Sequence, residues 1–225
     1  VAKHQYGEVG GSGYIGSWDR QLRQGMDHLS CFSGGMLALG VYVGAVTDPI
    51  EAGRHMRMAM QVTRTCAYAY MTTATGIGPD NMSVVTTGEV NAISPAYHLR
   101  PETAESLFIL WRVTKDPIYR EWGWAITQSL EESCKRPLGY TSLTDVRNKG
   151  ALGNKQESFM LAETLKYLFL LFSDDNALDL TQWVFNTEAH PIRVRNLEIP
   201  SDAAVDTARK WVAERLKALR LVQNK

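Results

Sequence analysis

The chain has 225 residues, 44% of them apolar and 21% charged, enough to bury a core and too apolar for a disordered polypeptide. Lys and Arg number 24, as do Asp and Glu, so there is no net charge. With no basic patch interleaved with aromatics, a nucleic-acid partner is not expected.

The length fits one large domain or two small ones. Cys31, Cys66 and Cys134 have no metal-ligand spacing. One disulfide with a free thiol and a fully reduced chain both fit them. No signal peptide opens the sequence and Val1 is not a usual start, so a processed chain or a fragment is expected. The most apolar run, residues 159–172, contains Glu163 and Lys166 and is too short to span a membrane.

Residues 1–27 hold Gly10, Gly11, Gly13 and Gly16 and show no helical period, which predicts loops with at most a short hairpin. A phosphate-binding loop is disfavoured because no Lys-Ser/Thr follows. Residues 26–46 form the first strong element, with His28, Cys31 and Phe32; Gly34-Gly35 inside it signals close approach of backbone to a neighbour. Asp48-Pro49 reads as a helix start, Asp as N-cap and Pro at the first helical position, and the helix should run to about Tyr70. Residues 72–97 read as one long loop.

Pro101 then opens an apolar helix to Val113, which places Glu102 and Glu105 on one face of its first turn. Two solvated acids at the positive end of a helix dipole are the plain reading. Asp116-Pro117-Ile118 starts an amphipathic helix ending near Cys134. Val46-Thr47-Asp48-Pro49-Ile50 matches Val113-Thr114-Lys115-Asp116-Pro117-Ile118, and Cys66 lies as far after Asp48 as Cys134 after Asp116. A third apolar helix follows over residues 156–172. A buried helix followed by an amphipathic one, repeated, indicates stacked helical hairpins. Glu163 lies inside that third helix, where burying a carboxylate without partners costs on the order of several kcal/mol. Residues 179–194 form a connection, and residues 201–222 an amphipathic helix with Val205, Ala208, Val212, Leu216 and Leu219 on one stripe.

Four blocks carry a resemblance. They are Met26-Asp27-His28-Leu29-Ser30-Cys31-Phe32 with Leu37 to Gly40; Leu99 to Phe108; Glu157-Ser158-Phe159 with Leu161 to Asp175; and Phe185 to Pro191. In order and spacing they resemble the class I α-1,2-mannosidases, glycoside hydrolase family 47. The resemblance implies an all-α fold, part of an (α/α)7 barrel of helical hairpins with minor β-hairpin and loop segments. It places residues 1–225 in the C-terminal part of one catalytic domain. Residues 1–27 would be a Gly-rich lead-in, 28–192 the barrel hairpins and calcium motif, and 201–222 a C-terminal helix. It further implies calcium-dependent, inverting removal of terminal α-1,2-linked mannose from high-mannose N-glycans, in the endoplasmic reticulum or Golgi lumen or after secretion, with any membrane anchor upstream.

By the same resemblance Glu102 is the general base, which activates water on the far face of the sugar while a second carboxyl gives a proton. That acid matches nothing here, so the isolated chain is expected to be inactive and to need an N-terminal half as partner. With those hairpins absent, helix faces around Leu107, Phe108 and Leu165 are expected to lack partners. Arg100, whose planar fork suits vicinal hydroxyls, would contact substrate, or else form a salt bridge. His28, Phe159, Glu163 and Glu188 would also line the sugar site, though His28 and Phe159 read alone are core residues. Glu105 would support the site. Thr187 would ligate Ca²⁺ directly at the bottom of a central cavity. Ca²⁺ takes six to eight oxygens, so waters held by Glu102, Glu163 and Glu188 and sugar hydroxyls would complete its shell. Cys31 and Cys66 match the family disulfide. Asn81-Met82-Ser83 is a glycosylation sequon that suits a secretory protein. The competing readings are a glycan-binding or quality-control protein on the same barrel, which would not need a water-activating base, and a helical scaffold for protein partners.

Overall fold

The computed structural model describes residues 3–19, 21–22, 24–85 and 87–194. The frame is two helical hairpins and a fifth helix. Helix α1 (Phe32–Tyr42) leads into α2 (Pro49–Met71), α3 (Glu102–Thr114) leads into α4 (Ile118–Ser129), and α5 (Leu165–Phe172) follows. Helix α3 packs against both α1 and α5, while α2 backs α1 and α4 backs α3 and α5. The apolar helices thus form an inner row and the amphipathic ones an outer row. No helix among the described residues is long and apolar enough to cross a membrane.

The repeated Asp-Pro signal works as a cap. Asp48 Oδ1 accepts from the backbone N–H of Ile50 and Glu51, both at 2.9 Å, and Asp116 Oδ1 accepts from that of Ile118 at 3.1 Å. The glycine pair in α1 sets the packing distance. A Cβ at Gly34 would lie 2.1 Å from Thr63 Oγ1 on α2, and one at Gly35 would lie 3.2 Å from Ser106 Cα on α3. The close approach signalled by Gly34-Gly35 is therefore to both neighbouring helices. Arg112, buried in α3, donates to the carbonyls of Leu170, Asp174, Asp175 and Ala177, which closes the C-terminal end of α5 and compensates the buried guanidinium.

Short antiparallel strands correct two expectations. Residues 1–27 hold more than loops: β1 (Lys3–Val9), β2 (Ser12–Asp19) and β3 (Gln21–Leu22) form one sheet in that order. Val9 pairs with Ser12, and Gly10 and Gly11 turn the chain at φ 54° and 79°, which side chains with a Cβ resist. Residues 72–97 are not one loop. Strands β5 (Asn81–Val84) and β6 (Val90–Ser94) pair with each other, and β5 pairs with β4 (Gly25–Asp27). Met82, Val84 and Val90 are buried with Met26 and Cys66, a pattern too short and too interrupted by Asn and Ser to stand out in sequence. Two hairpins remain: β7 (Lys135–Arg136) with β8 (Gly139–Tyr140), and β9 (Trp183–Phe185) with β10 (Pro191–Arg193).

The helical segments also depart in detail. A 3-10 turn, His28–Cys31, precedes α1, and π-helical turns cover Leu130–Cys134 and Met160–Thr164. The third apolar helix begins at Met160 rather than residue 156, because the Gln156 carboxamide accepts from the Tyr140 backbone N–H at 2.6 Å and holds that segment on β8. The expected helix over residues 201–222 lies outside the described residues.

Helix faces at Leu107 and Phe108 do not lack partners: both are fully buried because α1 and α5 flank α3, and Leu165 packs half-buried against the same core. Exposed apolar side chains lie at both ends of the row, Leu29, Phe32 and Met36 in and after the turn that opens α1 and Leu161, Phe169 and Phe172 on the last helical segment, and others are scattered over the outer helices and hairpins, among them Ile50, Trp124 and Leu138.

Cys31 and Cys66 form a disulfide that ties the turn before α1 to α2, and Cys134 is a buried free thiol. A crosslink spanning 35 residues restricts the unfolded chain. Replacing both cysteines by alanine is expected to lower unfolding free energy by about 4 kcal/mol in chemical denaturation. An unchanged denaturation midpoint would contradict it.

Candidate active site

The site begins where the chain enters α3. Tyr97 and Leu143 exchange backbone hydrogen bonds of 2.9 and 3.0 Å, which fixes the approach. Buried Leu99 then takes a left-handed conformation, φ 62°, a strain of about 1–3 kcal/mol that surrounding contacts must hold. One such contact is specific: the Thr164 hydroxyl donates to the Leu99 carbonyl at 2.6 Å. Thr164 belongs to the π-helical turn that carries Glu163, so this bond ties the Glu163 turn to the segment carrying Arg100 and Glu102. Single π turns inside helices recur at functional sites.

Glu102, the first residue of α3, has its side chain 13% exposed. His28 Nδ1 lies 2.8 Å from Glu102 Oε2. Burial alone would raise the Glu102 pKa, but the hydrogen bond and attraction of His28, the residue's own backbone N–H and nearby Arg100 hold it below the usual value. Glu102 is therefore a carboxylate and the Nδ1 proton points at it. His28 Nε2 is also engaged, 2.8 Å from the Tyr70 hydroxyl and 3.2 Å from that of Thr103. His28 is fully buried with both nitrogens occupied, so it stands behind Glu102 and offers no free nitrogen to a sugar. The expectation of direct substrate contact by His28 is corrected accordingly.

Glu105, one turn on, accepts from the Tyr167 hydroxyl at 3.2 Å. Burial, with repulsion from Glu102 and Glu163, raises its pKa from 4.5 to about 7 despite that bond. Glu163 is 7% exposed and accepts no hydrogen bond among the described residues. Burial and the charges of Glu102 and Glu188 raise its pKa to about 7, with Lys166 opposing. Glu102, Glu105, Glu163 and Glu188 therefore form one electrostatic cluster in which Glu102 has the 2.8 Å bond to His28, Glu105 the longer one from Tyr167, and Glu163 no donor among the described residues.

Arg100 Nε donates to Asp80, the salt bridge weighed above, and Asp80 together with Glu102 raises the Arg100 pKa against burial. Its terminal nitrogens make no hydrogen bond among the described residues, so the outer edge of the fork is left for a ligand. Phe159 is half-buried at the start of the π turn and is not part of either core cluster, unlike a core aromatic. Thr187 and Glu188 are exposed, in the turn between β9 and β10. Asn186 Oδ1 shapes that turn by accepting from the N–H groups of Glu188 and His190. Thr187 is thus open to solvent in this chain rather than enclosed at the bottom of a cavity, while its neighbour Glu188 is in electrostatic reach of Glu163. Tyr70, Asp80, Thr164 and the Leu99 strain escape sequence reasoning. Only Pro101, which restricts the residue before it, hints at special backbone there.

The raised Glu105 pKa has a sign. The folded state holds this proton more tightly than the unfolded chain, so the ionised group destabilises the fold fully above about pH 7 and not at all below pH 4.5. Glu105→Gln should therefore raise the thermal midpoint by a few degrees at pH 8 and leave it unchanged at pH 4.5. Equal effects at both pH values would contradict the assignment.

Comparison with known proteins gives the family. Residues 3–194 match the model of glycosyl hydrolase family 47. The chain is 46% identical over 193 residues to human mannosyl-oligosaccharide 1,2-alpha-mannosidase IC, covering 83% of this chain and 30% of that protein. It is 44% identical over 193 residues to mannosyl-oligosaccharide alpha-1,2-mannosidase IA of Spodoptera frugiperda, covering 84% and 28%. Among solved structures it resembles the alpha-1,2-mannosidase from Trichoderma reesei, with a TM-score of 0.72, 28% identity, and coverage of 82% of this chain and 42% of that one. The chain spans less than a third of the length of these curated relatives. It belongs to glycosyl hydrolase family 47.

Proposed function

We propose that the complete protein removes terminal α-1,2-linked mannose from high-mannose N-glycans by inverting, calcium-dependent hydrolysis, and that this chain supplies the base and the calcium side of the site. The observation that carries the proposal is Glu102, kept ionised by His28 beside two carboxyls with pKa near 7. Glu102 Oε2 is taken by His28, and the carboxylate's remaining accepting capacity takes the proton from the attacking water. Arg100 grips sugar hydroxyls with its free edge, and Phe159 lies under the ring. The general acid belongs to sequence outside this chain, on the opposite side of the scissile bond.

The acid cluster fits a divalent cation. Buried Glu163 lacks a donor and carries a pKa of about 7, so a nearby positive charge would relieve it. Among the described residues no three His, Cys, Asp or Glu side chains gather as a direct ligand set. Thr187 carbonyl and hydroxyl would contact the ion, with Glu102, Glu163 and Glu188 holding its waters. When bound, the ion would bind vicinal sugar hydroxyls and neutralise the cluster.

Further hairpins closing the row into an (α/α)7 barrel would cover the exposed apolar residues at its two ends. The disulfide supports a lumenal or secreted setting. Retention of an ionised, hydrogen-bonded base favours hydrolysis over a purely glycan-binding role.

The full-length protein with calcium should release mannose from a high-mannose glycan, with β-mannose as first product. Glu102→Gln should lower kcat by roughly two to four orders of magnitude, the contribution of a general base. The isolated 225-residue chain should release none. A fully active Glu102→Gln enzyme, or release by the isolated chain that this substitution abolishes, would overturn the base or the missing acid respectively.

A further inference from the structure

Resting on Glu102 as the base, we propose that Tyr70, on the outer helix α2, is a positioning residue for it: the Tyr70 hydroxyl donates to His28 Nε2, which leaves the ring proton on Nδ1, aimed at Glu102. The relay runs from Tyr70 Oη to His28 Nε2 at 2.8 Å and from His28 Nδ1 to Glu102 Oε2 at 2.8 Å. With one proton on the ring, Nδ1 carries it toward the Glu102 carboxylate and Nε2 is left to accept, so a donor at Nε2 favours the tautomer that serves Glu102 and opposes a second proton there. Thr103 also reaches Nε2, but at 3.2 Å it is the weaker partner.

Three observations show Tyr70 held in place at Nε2 with its proton available to donate, rather than an incidental neighbour. Its hydroxyl is fully buried and its pKa is pushed upward, first by burial, so it keeps its proton. Its ring is packed edge-on against both His28 and Tyr97, centroids 5.8 and 6.1 Å apart, which leaves little freedom to swing. Its far side lies on the backbone of Gly78, where a Cβ would come within 2.4 Å of Tyr70 Cε2. Glycine at residue 78 thus lets the ring sit deep enough for the hydroxyl to meet His28. Tyr70 itself has no route to a sugar, because His28 and Glu102 lie between.

A relay of this kind acts on the chemical step and not on substrate binding. Without the hydroxyl, His28 can turn its proton toward Thr103, and Glu102 loses the donor that holds its carboxylate ionised and oriented. The loss of one neutral hydrogen bond in such a chain corresponds to roughly a tenfold change in rate.

The test uses full-length protein labelled with nitrogen-15 histidine, the His28 signals being identified by their loss in His28→Gln. The wild type should show a protonated Nδ1 and a bare Nε2. Tyr70→Phe keeps the ring and removes the donor. It should mix the tautomers and lower kcat roughly tenfold, with KM within about twofold, at an unchanged thermal midpoint. A protonated Nε2 in the wild type overturns the inference, as does an unchanged His28 spectrum in Tyr70→Phe, whatever happens to kcat. If Tyr70→Phe fails to fold, the wild-type spectrum still decides. If the wild type hydrolyses no mannoside, the proposed function fails while the spectrum continues to test the relay.

Discussion

Burial of several carboxylates beside one another is the constraint on which the rest of the site depends. Glu102, Glu105 and Glu163 are all largely withdrawn from water, and neighbouring acids add to the cost of charge on Glu105 and Glu163. A small protein tolerates this only if each acid is protonated, given a donor or faced by a cation. One solution is already present: His28 serves Glu102. Glu105 has only the longer bond from Tyr167 and Glu163 has no donor among the described residues, and for both the pKa rises to about 7. Chemically similar groups are thereby driven apart in character, which is how acid and base roles are usually divided within one site.

Holding them together takes rigid surroundings. The two glycines of α1 let the inner helices approach, which brings His28 to the first turn of α3. The Thr164 bond to strained Leu99 joins the π turn of Glu163 to the same point. The disulfide fixes the segment just after His28. Backbone strain, helix irregularity and buried charge all fall within this small region, whereas the core around Leu107, Phe108 and Leu110 is ordinary apolar packing. Costs are concentrated at the candidate site, and the inner row of helices supplies the stability that offsets them.

The helical frame was legible because its signals are local. Asp48-Pro49 and Asp116-Pro117 mark helix starts through a cap and a missing N–H, and their repetition announced the hairpins. Glu163 inside an apolar helix was legible as an anomaly of cost. Glu102 stood out with Glu105 as a pair of carboxylates on one helix turn but gained a role only through the family resemblance, and Arg100 and Thr187 stood out only through it, since an arginine before a helix and a loop threonine are common. What stayed hidden depends on residues distant in sequence. β5 pairs with β4 across the whole of α1 and α2. Tyr70 lies 42 residues from His28, and Asp80 lies 20 from Arg100. No spacing rule connects such pairs. The π turn of Glu163 and the left-handed Leu99 are products of tertiary packing, with no residue type that requires them.

The most direct measurement is a carbon-13 titration of the glutamate side-chain carboxyls in calcium-free protein, assigned by single Glu→Gln substitutions. The account predicts that Glu102 titrates below the usual carboxylate range while Glu105 and Glu163 titrate near pH 7. If all three titrate together near their ordinary value, the division of roles within the cluster is wrong.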